Sequence, residues 1–166
     1  MGHFLLAAIA LASATPSVAD GPACDLCLGD SPASGEQPLH IAVESGIKFS
    51  RLALRGKDDG EAQIDQAGEN RVGPNMIDLG GLSYQGRARI TGQPLRPVRI
   101  EMPPKVMLRS PDGAEAELTD FVTDLPPVAM LDQYGQLSFA FGARISSHGA
   151  RGGNFRGRIA IRVDYY

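Results

Sequence analysis

The last fourteen residues of this 166-residue chain, 153–166, leave little freedom in how they can fold. After Asn154 two sets of residues alternate. Phe155, Gly157, Ile159, Ile161, Val163 and Tyr165 point one way, and Arg156, Arg158, Ala160, Arg162 and Asp164 the other. A period of two over this length specifies a half-buried β-strand, apolar inward and charged outward. As the last element read, it is expected to keep one edge that no later hairpin covers.

The same period recurs upstream. Leu39, Ile41 and Val43 alternate, then Ile47 and Phe49, then Leu52 and Leu54. Short strands are expected over 61–65, 76–82 and 86–92, the last with Ala88 and Ile90 inward. Val98, Ile100 and Met102 form another inward row, stopped by Pro103-Pro104, because proline cannot donate to a central ladder. Val106 and Leu108 follow, then the turn Ser110-Pro111-Asp112-Gly113, a strand over 114–123 and a loop over 125–132. Leu137, Phe139, Phe141, Ala143 and Ile145 alternate cleanly. The 20 glycines and 12 prolines fall largely in the turns between these runs, and no long stretch carries a helical apolar period. The expected fold is all-β: about eight or nine short strands with turns every 8–12 residues, in an antiparallel two-layer β-sandwich. A closed barrel is the alternative.

Residues 1–19 carry no Asp, Glu, Lys or Arg and hold an apolar run too short to span a bilayer, which needs about 20 residues. Ser13-Ala14-Thr15-Pro16 breaks it, and Ser17-Val18-Ala19 offers the small residues that signal peptidase accepts. The expectation is a signal peptide over 1–19 cut after Ala19, although the only polar head is His3; the alternative is a buried N-terminal helix. Next come a Gly-, Pro-, Ser- and Asp-rich leader over 20–37 and a single β-domain over 38–166. The processed chain would have 166 − 19 = 147 residues, enough for one domain, and would keep the net charge of −3. No other long apolar run exists, so no transmembrane segment is expected in it.

Residues with chemical potential are few. Cys24 and Cys27 form the only cysteine pair, in a C-x-x-C. No helix pattern follows them, so a local disulfide is the expected reading, with an intermolecular disulfide or a redox or metal role as alternatives. A zinc site would need His40 and His148 as well, and no spacing supports it. Lipidation of Cys24 lacks the usual apolar residue three positions earlier. Ser83 sits outside any nucleophile-elbow spacing, His148 in a Ser-Ser-His-Gly loop, and Asp58, Asp59 and Glu61 in an ordinary acidic turn. No catalytic residue, metal or cofactor is expected. Arg151, Arg156, Arg158 and Arg162 concentrate positive charge late in a slightly acidic chain. Nucleic-acid binding would want a broader basic surface, so these arginines read as guards of an exposed edge.

Ile64-Asp65, Gly80-Gly81, the strands over 86–92 and 98–103, the run 137–142 and the final 157–165 together resemble one exported bacterial family. That family is catalogued as domain of unknown function 4402, and the likeness covers roughly 39–165. A looser resemblance is to subunits of chaperone–usher fimbriae, which end in an alternating strand with a penultimate aromatic. Here Tyr165 is penultimate and Gly153 is fourteenth from the end. This resemblance implies an immunoglobulin-like, pilin-like sandwich completed by β-strand addition. Its assembly strand would carry Gly153, Ile159, Ile161, Val163 and Tyr165, and its donor strand Leu39, Ile41 and Val43. The expected function is an exported, non-enzymatic cell-surface or fimbria-like subunit that meets neighbouring subunits or a periplasmic chaperone. A secreted monomeric module binding a ligand through loops such as 144–151, and a periplasmic redox or metal role through the C-x-x-C, are the alternatives.

Overall fold

β11 (Gln136–Ser147) is the axis of the structure, a computed structural model that describes residues 35–56, 58–147 and 154–166. Leu137, Phe139, Phe141, Ala143 and Ile145 alternate along it as expected, yet 139–143 are all buried, on both faces. The reason is its position between neighbours. One edge pairs first with β6 (Gly86–Thr91), through Gln136 to Phe141, and then with β3 (Gly60–Ile64), through Ala143 to Ser147. The other edge carries β9 (Glu115–Thr123). Gly142 stands where β6 hands over to β3. A Cβ there would strike the Ile64 carbonyl oxygen and come within 2.9 Å of the Asp65 backbone, so only glycine lets the two strands meet.

The seven-stranded sheet runs β1 (His40–Ser45), β6, β11, β3, β4 (Asn70–Val72), with β8 (Val106–Arg109) joined to β9. A three-stranded sheet has the order β10 (Ala129–Met130), β7 (Pro97–Glu101), β12 (Arg162–Tyr165), and β2 (Leu52–Leu54) pairs with β5 (Met76–Asp78). Every ladder between named strands is antiparallel. The described residues form an all-β structure without a helix, and none of its elements is a helix long and apolar enough to cross a membrane.

Two apolar clusters form the core. The first joins Ala62, Met76, Val106, Leu108, Ala116, Leu118, Ala143 and Ile145. The second joins Ala88, Ile90, Val98, Ala129, Leu131, Phe139 and Phe141. β11 feeds both, one from each half of its length. Burying each large side chain stabilises the fold by about 1.5–3 kcal/mol, so the clusters rather than the exposed ion pairs hold it.

The final segment departs from its expected form. The alternation holds, since Phe155, Ile159, Ile161, Val163 and Tyr165 are half-buried and their neighbours exposed. The ladder does not run through, however. Arg156 bridges Arg109 on β8, and pairing resumes only at Arg162, opposite Glu101 on β7. Between these points the segment passes the connection that holds Pro103-Pro104, which offers no N–H. Two further elements lay outside the sequence reading: β4, just after the strand expected over 61–65, and β10, within the stretch read as a loop. Both are two or three residues long; β4 folds back on the adjacent β3, and β10 is held by β7, about thirty residues earlier.

Candidate functional site

The broken ladder leaves one side of the structure open. Residues 47–54 form one wall of a groove and residues 154–161 the other. Ile47, Phe49, Leu52 and Leu54 are half-buried on the first wall, as are Phe155, Ile159 and Ile161 on the second. Leu108, Leu118, Phe141 and Ile145 lie between them as a floor drawn from β8, β9 and β11. The space encloses about 890 Å³ and spans both core clusters, because Ile47 and Ile159 pack against each of them.

Each wall is anchored along one edge. Lys48 exchanges two backbone hydrogen bonds with Tyr84, both 2.9 Å. The Arg51 N–H donates to the Gly80 carbonyl at 3.2 Å, and the Leu79 N–H to the Arg51 carbonyl at 2.7 Å. Opposite, Arg156 exchanges two 2.9 Å bonds with Arg109, but 157–161 make no backbone hydrogen bond to any described residue. Gly157 is pressed against β8: a Cβ there would strike Leu108 and lie 3.1 Å from the Met107 carbonyl oxygen. The second wall is therefore set at close range by a glycine and then runs with its backbone unpaired among the described residues, which is the condition that accepts another strand.

The corner behind the first wall is fixed by Asp78. The Gly80 N–H donates to Asp78 Oδ1 at 2.7 Å, and the Asn70 amide bridges Asp78 Oδ2 at 3.1 Å and Ser50 Oγ at 3.2 Å. The Gly80 N–H, then the Ser50 hydroxyl and the Asn70 amide, hold the Asp78 carboxyl below the usual carboxylate range. At the far end of the last strand the Tyr165 hydroxyl donates to the Gln37 carbonyl and accepts from the Gln93 N–H, both at 2.7 Å. Arg96 stacks on the Tyr165 ring, 5.1 Å from its centre, and pairs with Glu36 at 2.9 Å.

Chemically the groove is a binding surface. Its charged lining residues are Lys48, Arg51 and Arg156, all exposed at the rim, and no carboxylate or histidine lines it. Among the described residues no group of three or more His, Cys, Asp or Glu is placed to hold a metal.

Of the assembly- and donor-strand candidates, Val43, Ile159 and Ile161 line the groove, while Val163 and Tyr165 continue the row of the last segment into the second cluster. Leu39 packs on that cluster too, whereas Ile41 and Val43 lie on β1, paired with β6 of the same chain. Cys24, Cys27, His148, Arg151 and Gly153 lie outside the described residues. The first wall was not foreseen as part of a site. Its signal was the slip in alternation between Phe49 and Leu52, where the inward row changes parity at Ser50-Arg51.

No curated protein and no solved structure matches the chain. A family match covers residues 39–165, from just before β1 through the end of β12, and so takes in both walls of the groove and both core clusters. The chain belongs to the family described as "Domain of unknown function (DUF4402)".

Proposed function

We propose that the protein is an exported, non-enzymatic subunit of a cell-surface structure, assembled by adding a β-strand from another chain into the groove between 47–54 and 154–161. One observation carries this reading: seven half-buried apolar side chains face a groove whose second wall, among the described residues, has unpaired backbone over 157–161. An entering strand would gain main-chain hydrogen bonds from that wall and pockets for its alternate side chains. The cationic rim favours an occupant with apolar residues inward and acidic residues outward. The fold proposed with it is an immunoglobulin-like, pilin-like two-layer sandwich that lacks one strand. Two core clusters, each served by β11 and by the last segment, support it. Because β1 is paired within its own chain, the donor is another segment of a neighbouring subunit or a strand of a periplasmic chaperone.

The test is the native mass of exported protein, wild type against Ile159→Glu, with circular dichroism as a check on folding. Wild type should form polymers or a stoichiometric complex with a partner, and the substitution should abolish both while the β-signal persists. If Ile159→Glu does not fold, Ile161→Ser at the same wall serves instead. A homogeneous wild-type monomer without a partner would sink the proposal.

The same groove favours a second reading, a monomeric module for an apolar ligand. Its volume of about 890 Å³ falls within the range of about 300–1,000 Å³ common to small-molecule pockets. Native mass spectrometry separates the two readings, because a small adduct on a monomer would support only this one.

A further inference from the structure

We infer that the groove between 47–54 and 154–161 binds a long-chain carboxylate, its acyl tail along the apolar floor and its head at the cationic rim. The inference rests on the apolar-ligand reading of the groove and names the class of ligand; it does not depend on strand addition. Shape is its first ground. Each wall is eight residues long, at most about 26 Å in an extended chain, and the space between the walls encloses about 890 Å³. Ile47, Phe49 and Leu52 face it from one side, and Phe155, Ile159 and Ile161 from the other. A long apolar trench is covered along its whole length by an unbranched chain, whereas a compact ligand would leave part of it against water.

Charge is the second ground, and it selects the head. Among the described residues that line the groove the charged ones are Lys48, Arg51 and Arg156, and none is acidic. Two stand on the first wall and one on the second, so an anion at the mouth meets cations from both sides. Elsewhere Arg89, Arg96, Lys105 and Arg144 each stand beside a carboxylate of the protein, at 2.9–3.1 Å. Lys48, Arg51 and Arg156 form no ion pair among the described residues. Lys48 is held over the Tyr84 ring, 5.7 Å from its centre, which keeps its ammonium near the wall. The two guanidinium groups offer planar forks that match the paired oxygens of a carboxylate. A neutral amphiphile would gain the floor alone, and a cationic one would be repelled at the rim.

The test is calorimetric titration of the full exported chain with dodecanoate, after refolding alone at low concentration so that no second copy fills the groove. Octanoate supplies the same head on a shorter tail, and dodecyltrimethylammonium the same tail on a cationic head. Wild type should bind one dodecanoate per chain, and each comparator about ten-fold more weakly or worse. The triple substitution Lys48→Gln, Arg51→Gln and Arg156→Gln changes only exposed positions. It should weaken dodecanoate about ten-fold and leave dodecyltrimethylammonium no weaker than before. Circular dichroism checks its fold, and should it not fold, the three single variants are titrated instead, each with a smaller loss in the same direction. No binding of dodecanoate by wild type, uptake of many molecules per chain, equal binding of the two head groups, or wild-type affinity in the substituted chains would each overturn the inference. Polymers formed without any amphiphile bear on strand addition alone, so either reading can fail without the other.

Discussion

Tyr165 shows how one side chain can set the geometry of two distant segments. Its ring packs into the second core cluster and stacks against Arg96, while its hydroxyl serves the Gln93 N–H and the Gln37 carbonyl at once. Tyr165→Phe keeps the ring, the stack and the packing and removes only the oxygen. Two backbone groups then lose their partner, and the expected cost is about 1–3 kcal/mol. Denaturant unfolding with an unchanged slope and a lower midpoint would show it. No measurable loss would mean that water replaces the hydroxyl at this corner. An aromatic at the penultimate position was legible in the sequence as an inward-facing end of a strand. Its hydroxyl's partners were not, since they sit 72 and 128 residues away.

At the scale of elements, the central strand and the final segment follow opposite rules. β11 stays paired along its length by changing partner at Gly142, where its register to β9 also shifts, whereas the last segment changes partner near Pro103-Pro104 and loses its ladder between. Gly142→Ala tests the first rule. The added methyl has only rigid backbone to meet, at Ile64 and Asp65, so the expected loss is about 1–3 kcal/mol or more. Thermal melting should report it, and a wild-type midpoint would show that β3 can shift aside. Both alternating patterns were visible in the sequence because they are local. The five consecutive buried positions of β11 were not, because burial on both faces depends on β6, β3 and β9 arriving from elsewhere in the chain. The groove stayed hidden for the same reason. Its two walls read plainly as separate inward rows, over 47–54 and 154–161, but their facing each other is a long-range fact.

For the whole molecule, the apolar content sits in two clusters that share β11 and the last segment, so neither cluster is complete without residues from late in the chain. The proposed export route makes a plain prediction at this scale. Protein recovered from outside the inner membrane should begin Asp20-Gly21-Pro22 on N-terminal sequencing, and recovery of an intact Met1 from that pool would remove the basis for export.

The bond from Tyr165 to Gln37 also carries a consequence in time. A chain made from its N-terminus holds Gln37 ready long before Tyr165 exists, and the described domain closes this corner only once Tyr165, 128 residues later, has been added. The second wall of the groove comes from the same late stretch. Through most of synthesis the polypeptide has no finished structure to lock into, and such long-range closure is slow in any case. On the proposed export route, a transport pore that admits only unfolded chains would find this one still pliable, and the domain would fasten itself once Tyr165 had passed through.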